Sequence, residues 1–267
     1  MNLLLLDVGN THTHLGLAIG ERIVRQGDLP TQSWCEPGAE KALRKFLGKS
    51  KLSGVAFCSV VPKVNSAIRD LAVAITGEPA WQLTSRTVAG IGIDYPKPDT
   101  IGADRLANSI AAIHHFGAPC LVVDFGTAVT FDVVDKRGSY IGGIIAPGLS
   151  AMTDYLHEKT ALLPKIEIRK PRRVVGKNTE EAMLSGAVFG YRGLVIHLLA
   201  QLRKELRATK LPVVATGGYA KLIASGVPEI LGVIPGLTLE GLRLAWAKSE
   251  SNPLSAKRTQ RSVKSED

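Results

Sequence analysis

Leu3-Leu4-Leu5-Leu6-Asp7-Val8-Gly9-Asn10-Thr11 opens the chain, and Leu121-Val122-Val123-Asp124-Phe125-Gly126-Thr127-Ala128-Val129-Thr130 repeats its grammar near the middle. In both, an apolar run of strand length reaches an Asp, a Gly two residues on, and then a Thr. The unbroken apolar run predicts a strand covered on both faces. The Gly has no Cβ, so the backbone can approach a ligand closely. The Thr and Asn side chains and the free N–H groups of the turn are hydrogen-bond donors of the kind that hold phosphate, and the Asp supplies the negative charge that keeps a cation beside it. Two such turns predict two opposed halves, each gripping one end of a triphosphate.

Working outward, each turn runs into alternating sequence, Thr13 to Ile19 and Val129 to Val134, and then a polar turn at Gly20-Glu21-Arg22 or Asp135-Lys136-Arg137-Gly138. Both copies predict a hairpin followed by a third strand. A helix over 39–47, a strand over 54–61 stopped by Pro62, and a helix over 65–75 give the first half a βαβ continuation. The second half carries a long helix from Glu180 to about Arg207, acidic at its start and basic at its end, and then a strand over 211–216 leading into Gly217-Gly218. The domain change falls at Phe116 to Pro119. That gives an N-terminal domain over 1–116, a C-terminal domain over 117–248 and a polar, disordered tail over 249–267.

With 267 residues, 45% of them hydrophobic, the chain can fill real cores. Asp7 interrupts the Leu run too early for a secretory signal, and no run of apolar residues is long enough to cross a bilayer, which predicts a cytoplasmic protein without a membrane partner. The net charge of +9 is spread out rather than interleaved with aromatic residues, which are 5% of the chain, so it suits a small polyanion better than nucleic acid. Cys35, Cys58 and Cys120 have no metal or disulfide spacing and read as small core residues. His12 and His14 share one strand face without a third ligand, and Trp34, Trp81 and Trp246 read as packing. A Walker A loop is excluded by Pro171 ahead of Gly176-Lys177, and a Rossmann fingerprint by Tyr95 after Gly90-Ile91-Gly92.

Between the two turns lies Tyr95-Pro96-Lys97-Pro98-Asp99-Thr100-Ile101-Gly102-Ala103-Asp104-Arg105, a Pro-restrained loop entering a helix. A carboxylate at that N-terminus can take a proton from a substrate hydroxyl, while Arg105 and the helix N–H groups can hold an anion. An isolated Asp-Arg pair there would more often be a helix cap and its surface partner.

Together with Ser59-Val60-Val61-Pro62, Gly142 to Gly148, Thr160 to Pro164, Gly176 to Thr179, Ala182 to Gly186 and Thr216 to Gly218, these motifs resemble the type III pantothenate kinases, also called the Bvg accessory factor family, from Leu3 to about Ala247. The resemblance implies an α/β fold of two ribonuclease-H-like, actin-like ATPase domains with mixed sheets flanked by helices and an ATP cleft between them. It implies transfer of phosphate from ATP to pantothenate, the first step of coenzyme A biosynthesis, by a homodimer using Mg²⁺ with ATP and a monovalent cation, K⁺ or NH₄⁺. By the same resemblance Asp7, Val8, Gly9, Asn10, Thr11 and Thr127 bind ATP, Asp124 binds the monovalent cation, and Asp104 is the proton acceptor. Tyr95, Gly102, Ala103, Asp104, Arg105 and Thr179 line the pantothenate site, with Thr179 reaching it at the dimer interface. Thr179 could equally be the N-cap of the long helix, and Asp124 a turn-forming residue. A sugar or acetate kinase of the same architecture and a regulatory accessory factor are the competing readings, the second without a visible recognition helix.

Overall fold

The computed structural model describes residues 1–36 and 38–251. Its chain forms two compact units, one made of residues 1–114 together with the segment from Leu237 onward, the other of His115–Gly236.

In the first unit the strands are β1 (Asn2–Val8), β2 (His12–Ile19), β3 (Arg22–Pro30), β4 (Gly54–Ser59) and β5 (Trp81–Gln82), in the order β3-β2-β1-β4-β5. β1 pairs antiparallel with β2 and parallel with β4. That position explains its composition: Leu3 to Leu6 are all buried because both faces of a central strand are covered. β3 is the edge, and it is mostly exposed and carries Arg22, Arg25 and Gln26. Helix α1 (Ala39–Leu47) and helix α2 (Asn65–Thr76) each bury a short stripe, Leu43 with Leu47 and Ile68 with Ala72, at the i,i+4 spacing of one helix face. A short strand β6 (Gly92–Ile93) precedes the loop that enters α3 (Ala103–Phe116).

The second unit repeats the plan. β7 (Cys120–Phe125), β8 (Ala128–Val134), β9 (Ser139–Pro147), β10 (Val213–Thr216) and β11 (Gly232–Val233) run in the order β11-β10-β7-β8-β9, with β7 antiparallel to β8 and parallel to β10. Strand for strand this is the first unit's order, so the repeated phrase marks a repeated three-dimensional unit. Asp7 and Asp124 occupy the same place, the next-to-last residue of the central strand. Helices α4 (Leu149–Lys159), α5 (Thr179–Glu205) and α6 (Ala220–Ala224) complete the unit. Met183, Leu184, Ala187, Val188, Tyr191, Val195, Leu199 and Leu202 of α5 enter a core shared with β7, β8 and β10.

Three expectations need correction. The last helix, α7 (Leu237–Glu250), packs on β1, β2 and β4 rather than extending the second domain to residue 248. Leu239, Leu242, Ala245 and Trp246 form its buried stripe, and Thr238 Oγ1 donates to the buried Asn108 Oδ1 at 2.8 Å. A local pattern shows that a helix is amphipathic but not which sheet lacks a cover. Ser249, expected to start the tail, is instead buried in α7 with its hydroxyl on the Trp246 carbonyl; the rest of that expectation, residues 252–267, lies outside the described residues. Finally, α5 is long and apolar enough by length and composition to cross a membrane. Many of its apolar positions enter the core described above.

Candidate active site

The β1–β2 turn carries the first group of candidate residues. Gly9 N–H donates to the His12 carbonyl at 3.0 Å, which folds Gly9, Asn10 and Thr11 into a tight bend with Asn10 and Thr11 exposed. Asp7 lies just before the bend, paired in register with His14 on β2 and Cys58 on β4. His12 and His14 are exposed, and His14 Nδ1 sits 2.5 Å from Asp28 Oδ1, so this pair belongs to the hairpin surface.

Asp104 occupies the first turn of α3, and its Oδ1 accepts the Arg105 N–H at 2.9 Å. Burial pushes its carboxyl above the usual range, while that hydrogen bond and the Arg105 charge pull the other way without cancelling it. A Cβ on Gly102 would stand 2.4 Å from Asp104 Oδ1, so the carboxylate rests on a residue that must lack a side chain. Asp104 is a desolvated carboxylate anchored at a helix N-terminus.

Cys58 lies behind Asp7, within reach of the charge of both carboxylates. Its Sγ–H donates to Asp7 Oδ1 at 3.5 Å, and its thiol is pushed well above its ordinary pKa by burial and then by the negative charges of Asp7 and Asp104. Both carboxylates thus act on one fully buried thiol that stays protonated. Cys58 is a buried core residue, as its apolar setting predicts; its contact with Asp7 comes from the β1–β4 register, which cannot be read from either strand alone.

The loop before Gly102 is pinned from outside. Arg86 Nη2 donates to Asp99 Oδ2 at 2.8 Å and Ser85 Oγ to Asp99 Oδ1 at 2.6 Å, and the Arg86 guanidinium and Ser85 hydroxyl hold the Asp99 carboxyl at about 2. Here too no motif announced the pair. A cavity of about 510 Å³ opens beside this loop, with Ser59, Gln82, Arg86, Asp99, Gly102 and Ala103 among its walls. Tyr95, at the start of the loop, is 38% exposed.

The second unit carries the remaining residues. Gly126 N–H donates to the Ala128 carbonyl and Gly148 N–H to the Thr127 carbonyl, both at 3.1 Å, which shapes a bend with Thr127 exposed. Behind it, Gly217 has φ of +93°, and a Cβ there would lie 2.6 Å from Asp124 Oδ1, so the Gly217-Gly218 turn closes directly against that carboxylate. Asp124 and Thr127 are thus brought to one turn, whereas Thr179 is carried by another element as the first residue of α5. The N-cap of α5 is Asn178, whose Oδ1 accepts the Glu181 N–H at 2.8 Å while Glu181 Oε2 accepts the Lys177 N–H at 2.9 Å. This capping box leaves the exposed Thr179 hydroxyl outside the capping role.

The profile of the family described as Type III pantothenate kinase matches residues 3–201. The chain belongs to the type III pantothenate kinase family. A type III pantothenate kinase from Akkermansia muciniphila is 48% identical over 92% of this chain and 98% of its own length. One from Methylacidiphilum infernorum is 42% identical, covering 91% and 87%. Among solved structures, a ROK family glucokinase from Streptomyces griseus, in complex with glucose and AMPPNP, aligns with a TM-score of 0.55 at 13% identity over 92% of this chain and 100% of that one. The ethanolamine utilization protein EutJ from Carboxydothermus hydrogenoformans aligns with a TM-score of 0.54 at 16% identity, covering 92% and 90%. The chain therefore shares the α/β fold of these two solved structures.

Proposed function

We propose that the chain transfers the γ-phosphoryl group of ATP to the primary hydroxyl of pantothenate, giving 4'-phosphopantothenate and ADP, the first step of coenzyme A biosynthesis. The observation that carries this reading is Asp104: a desolvated carboxylate, anchored at a helix N-terminus, in a chain whose family is the type III pantothenate kinases. Its raised pKa suits a group that must accept a proton near neutral pH.

In this reading the Gly9–Thr11 bend and Thr127 donate to the phosphates of ATP. Tyr95, Gly102 to Arg105 and Thr179 hold pantothenate, with Arg105 opposite an anionic group of the acceptor. The hydroxyl oxygen attacks the γ-phosphorus in line as the bond to the bridging oxygen of ADP breaks, and the hydroxyl proton passes to an Asp104 carboxylate oxygen. Phosphoryl transfer of this loose kind asks mainly for positioning and charge stabilisation, which the fixed turns and the pinned loop supply.

No three His, Cys, Asp or Glu side chains gather as a metal cage among the described residues. Mg²⁺ held mainly by substrate phosphates and water needs few protein carboxylates. Asp124, with its oxygen closed in by Gly217, is the residue we assign to the monovalent ion, K⁺ or NH₄⁺. Bound there, the cation offsets charge that Asp124 would otherwise turn against the triphosphate. We further propose a homodimer acting in the cytoplasm, without nucleic acid or a membrane as partner.

The test is ADP release and phosphopantothenate formation with pantothenate, acetate and glucose as acceptors, each with and without K⁺. Turnover on pantothenate alone, stimulated by K⁺, is expected. Equal turnover on glucose or acetate overturns the acceptor, and K⁺-independent turnover overturns the ion at Asp124.

A further inference from the structure

Three buried polar side chains behind the first phosphate turn form an unbroken chain of hydrogen bonds. Trp34 Nε1–H donates to Thr13 Oγ1 at 2.9 Å, Thr13 and Thr31 hydroxyls lie 3.1 Å apart, and Thr31 Oγ1 donates to the Gly9 carbonyl at 2.6 Å. Because Thr31 spends its proton on Gly9, the bond between the two hydroxyls must run from Thr13 to Thr31. The direction is fixed from end to end, and each hydroxyl both accepts and donates. Trp34, Thr13 and Thr31 are 5%, 0% and 1% exposed, so no water competes along the relay. The Thr31 backbone adds a second tether, its N–H donating to the Thr11 carbonyl at 3.0 Å.

The endpoint matters because of peptide geometry. In a trans peptide the C=O and the following N–H point in opposite directions. Drawing the Gly9 carbonyl inward onto Thr31 therefore turns the Asn10 N–H outward, on an exposed bend. Without the relay the Gly9–Asn10 peptide, free of a Cβ on one side, could flip and offer a carbonyl oxygen where a phosphate oxygen must sit. We propose that Trp34, Thr13 and Thr31 are positioning residues for nucleotide: they hold the Gly9–Asn10 peptide with its donor toward the phosphate. The inference rests on the reading of this bend as an ATP-binding turn, and it adds three residues that the motif itself does not contain.

Thr31→Val keeps the shape and removes the hydroxyl. Its affinity for ADP and for AMPPNP, by calorimetry on the full chain, is expected to fall about 10-fold or more, the worth of one hydrogen bond to a charged group. Thr31→Ser restores the donor and is expected to stay within about 3-fold of wild type on the same scale. The KM for pantothenate is expected to be unchanged in both, and the fitted binding stoichiometry, which a loss of folded protein would lower, is expected to match wild type. In the nucleotide-free protein, amide hydrogen exchange over residues 9–12 is expected to speed up in Thr31→Val and not in Thr31→Ser. Should Thr31→Val fail to fold, Trp34→Phe decides, with a smaller loss of nucleotide affinity and faster exchange over 9–12 expected. Wild-type affinity and wild-type exchange in the folded variant overturn the relay while leaving the kinase reading intact. A wild-type protein that transfers no phosphate overturns the kinase reading, and the exchange measurement still judges the relay.

Discussion

The role proposed for Asp104 and the stability of the fold pull in opposite directions. Burial raises its pKa in the folded state, so the stability this group contributes is present in full below its unfolded pKa and is lost as the pH rises through the folded value. At neutral pH the ionised carboxylate is a net cost to the fold. Asp104→Asn is therefore expected to melt higher than wild type at pH 7, with the gap closing as the pH falls toward about 4, near the unfolded Asp value. The same variant is expected to lose roughly 100- to 10,000-fold in kcat, the usual worth of a general base, while nucleotide affinity changes little. Melting scans across pH and steady-state kinetics on one preparation check both halves, and a variant less stable than wild type at pH 7 contradicts the burial argument. Gly102 makes a sharper test of position. A Cβ there stands 2.4 Å from Asp104 Oδ1, and the carboxylate must swing away. Gly102→Ala is expected to lower kcat about 100-fold, as a displacement of about an ångström can, with nucleotide affinity retained.

The elements show how far the sequence could be read. Helix α1 over 39–47 and the hairpins of both repeats follow from hydrophobic period and turn residues, and the structure forms them where those signals lie. The residues proposed for the site stand in motifs with local meaning: strand, Asp, Gly, Thr for the turns, and a Pro-restrained loop into a helix for Asp104. The contacts of Cys58, Thr13, Thr31, Trp34 and Arg86 could not be read in the same way, because they depend on which strand or loop each residue faces, and pairing between β1 and β4 or packing across the 3₁₀ turn Thr31–Cys35 leaves no periodic trace. Helix α7 was missed as a member of the first unit for the same reason. Helix α5 separates two roles that the sequence left merged. Asn178 is its cap, so Asn178→Ala is expected to destabilise the protein by about 1 kcal/mol. Thr179 lies one residue on and makes no capping bond, so Thr179→Ala is expected to leave the melting temperature unchanged and to raise the KM for pantothenate. Thermal melts and acceptor titrations of the two variants separate them, and matching stability losses contradict the division.

For the whole molecule, the proposed homodimer turns Thr179 into a question of stoichiometry. The second unit exposes Tyr155 by 62%, Leu162 by 90% and Val174 and Val175 by 68% each, apolar side chains that a monomer would leave in water. Val174 and Val175 lie a few residues before Thr179 in the chain, so a two-fold interface that covers them and the start of α5 would bring that hydroxyl to the contact. Replacing Tyr155 and Leu162 together by Glu is expected to give a monomer by light scattering that still binds nucleotide but has lost most of its transfer to pantothenate. If each site takes Asp104 from one protomer and Thr179 from the other, two defective variants can repair each other. Asp104→Asn homodimers lack the base at both sites, and Thr179→Ala homodimers lack the acceptor contact at both. A mixed dimer has one site with both defects and one site with neither. After unfolding and refolding an equal mixture, half the dimers are mixed, so about a quarter of all sites are intact. Activity at low pantothenate, where the Thr179→Ala protein is weakest, is expected to rise toward that fraction of wild type, above the mean of the two variants assayed separately. Activity that stays at that mean places Thr179 and Asp104 in the site of a single chain.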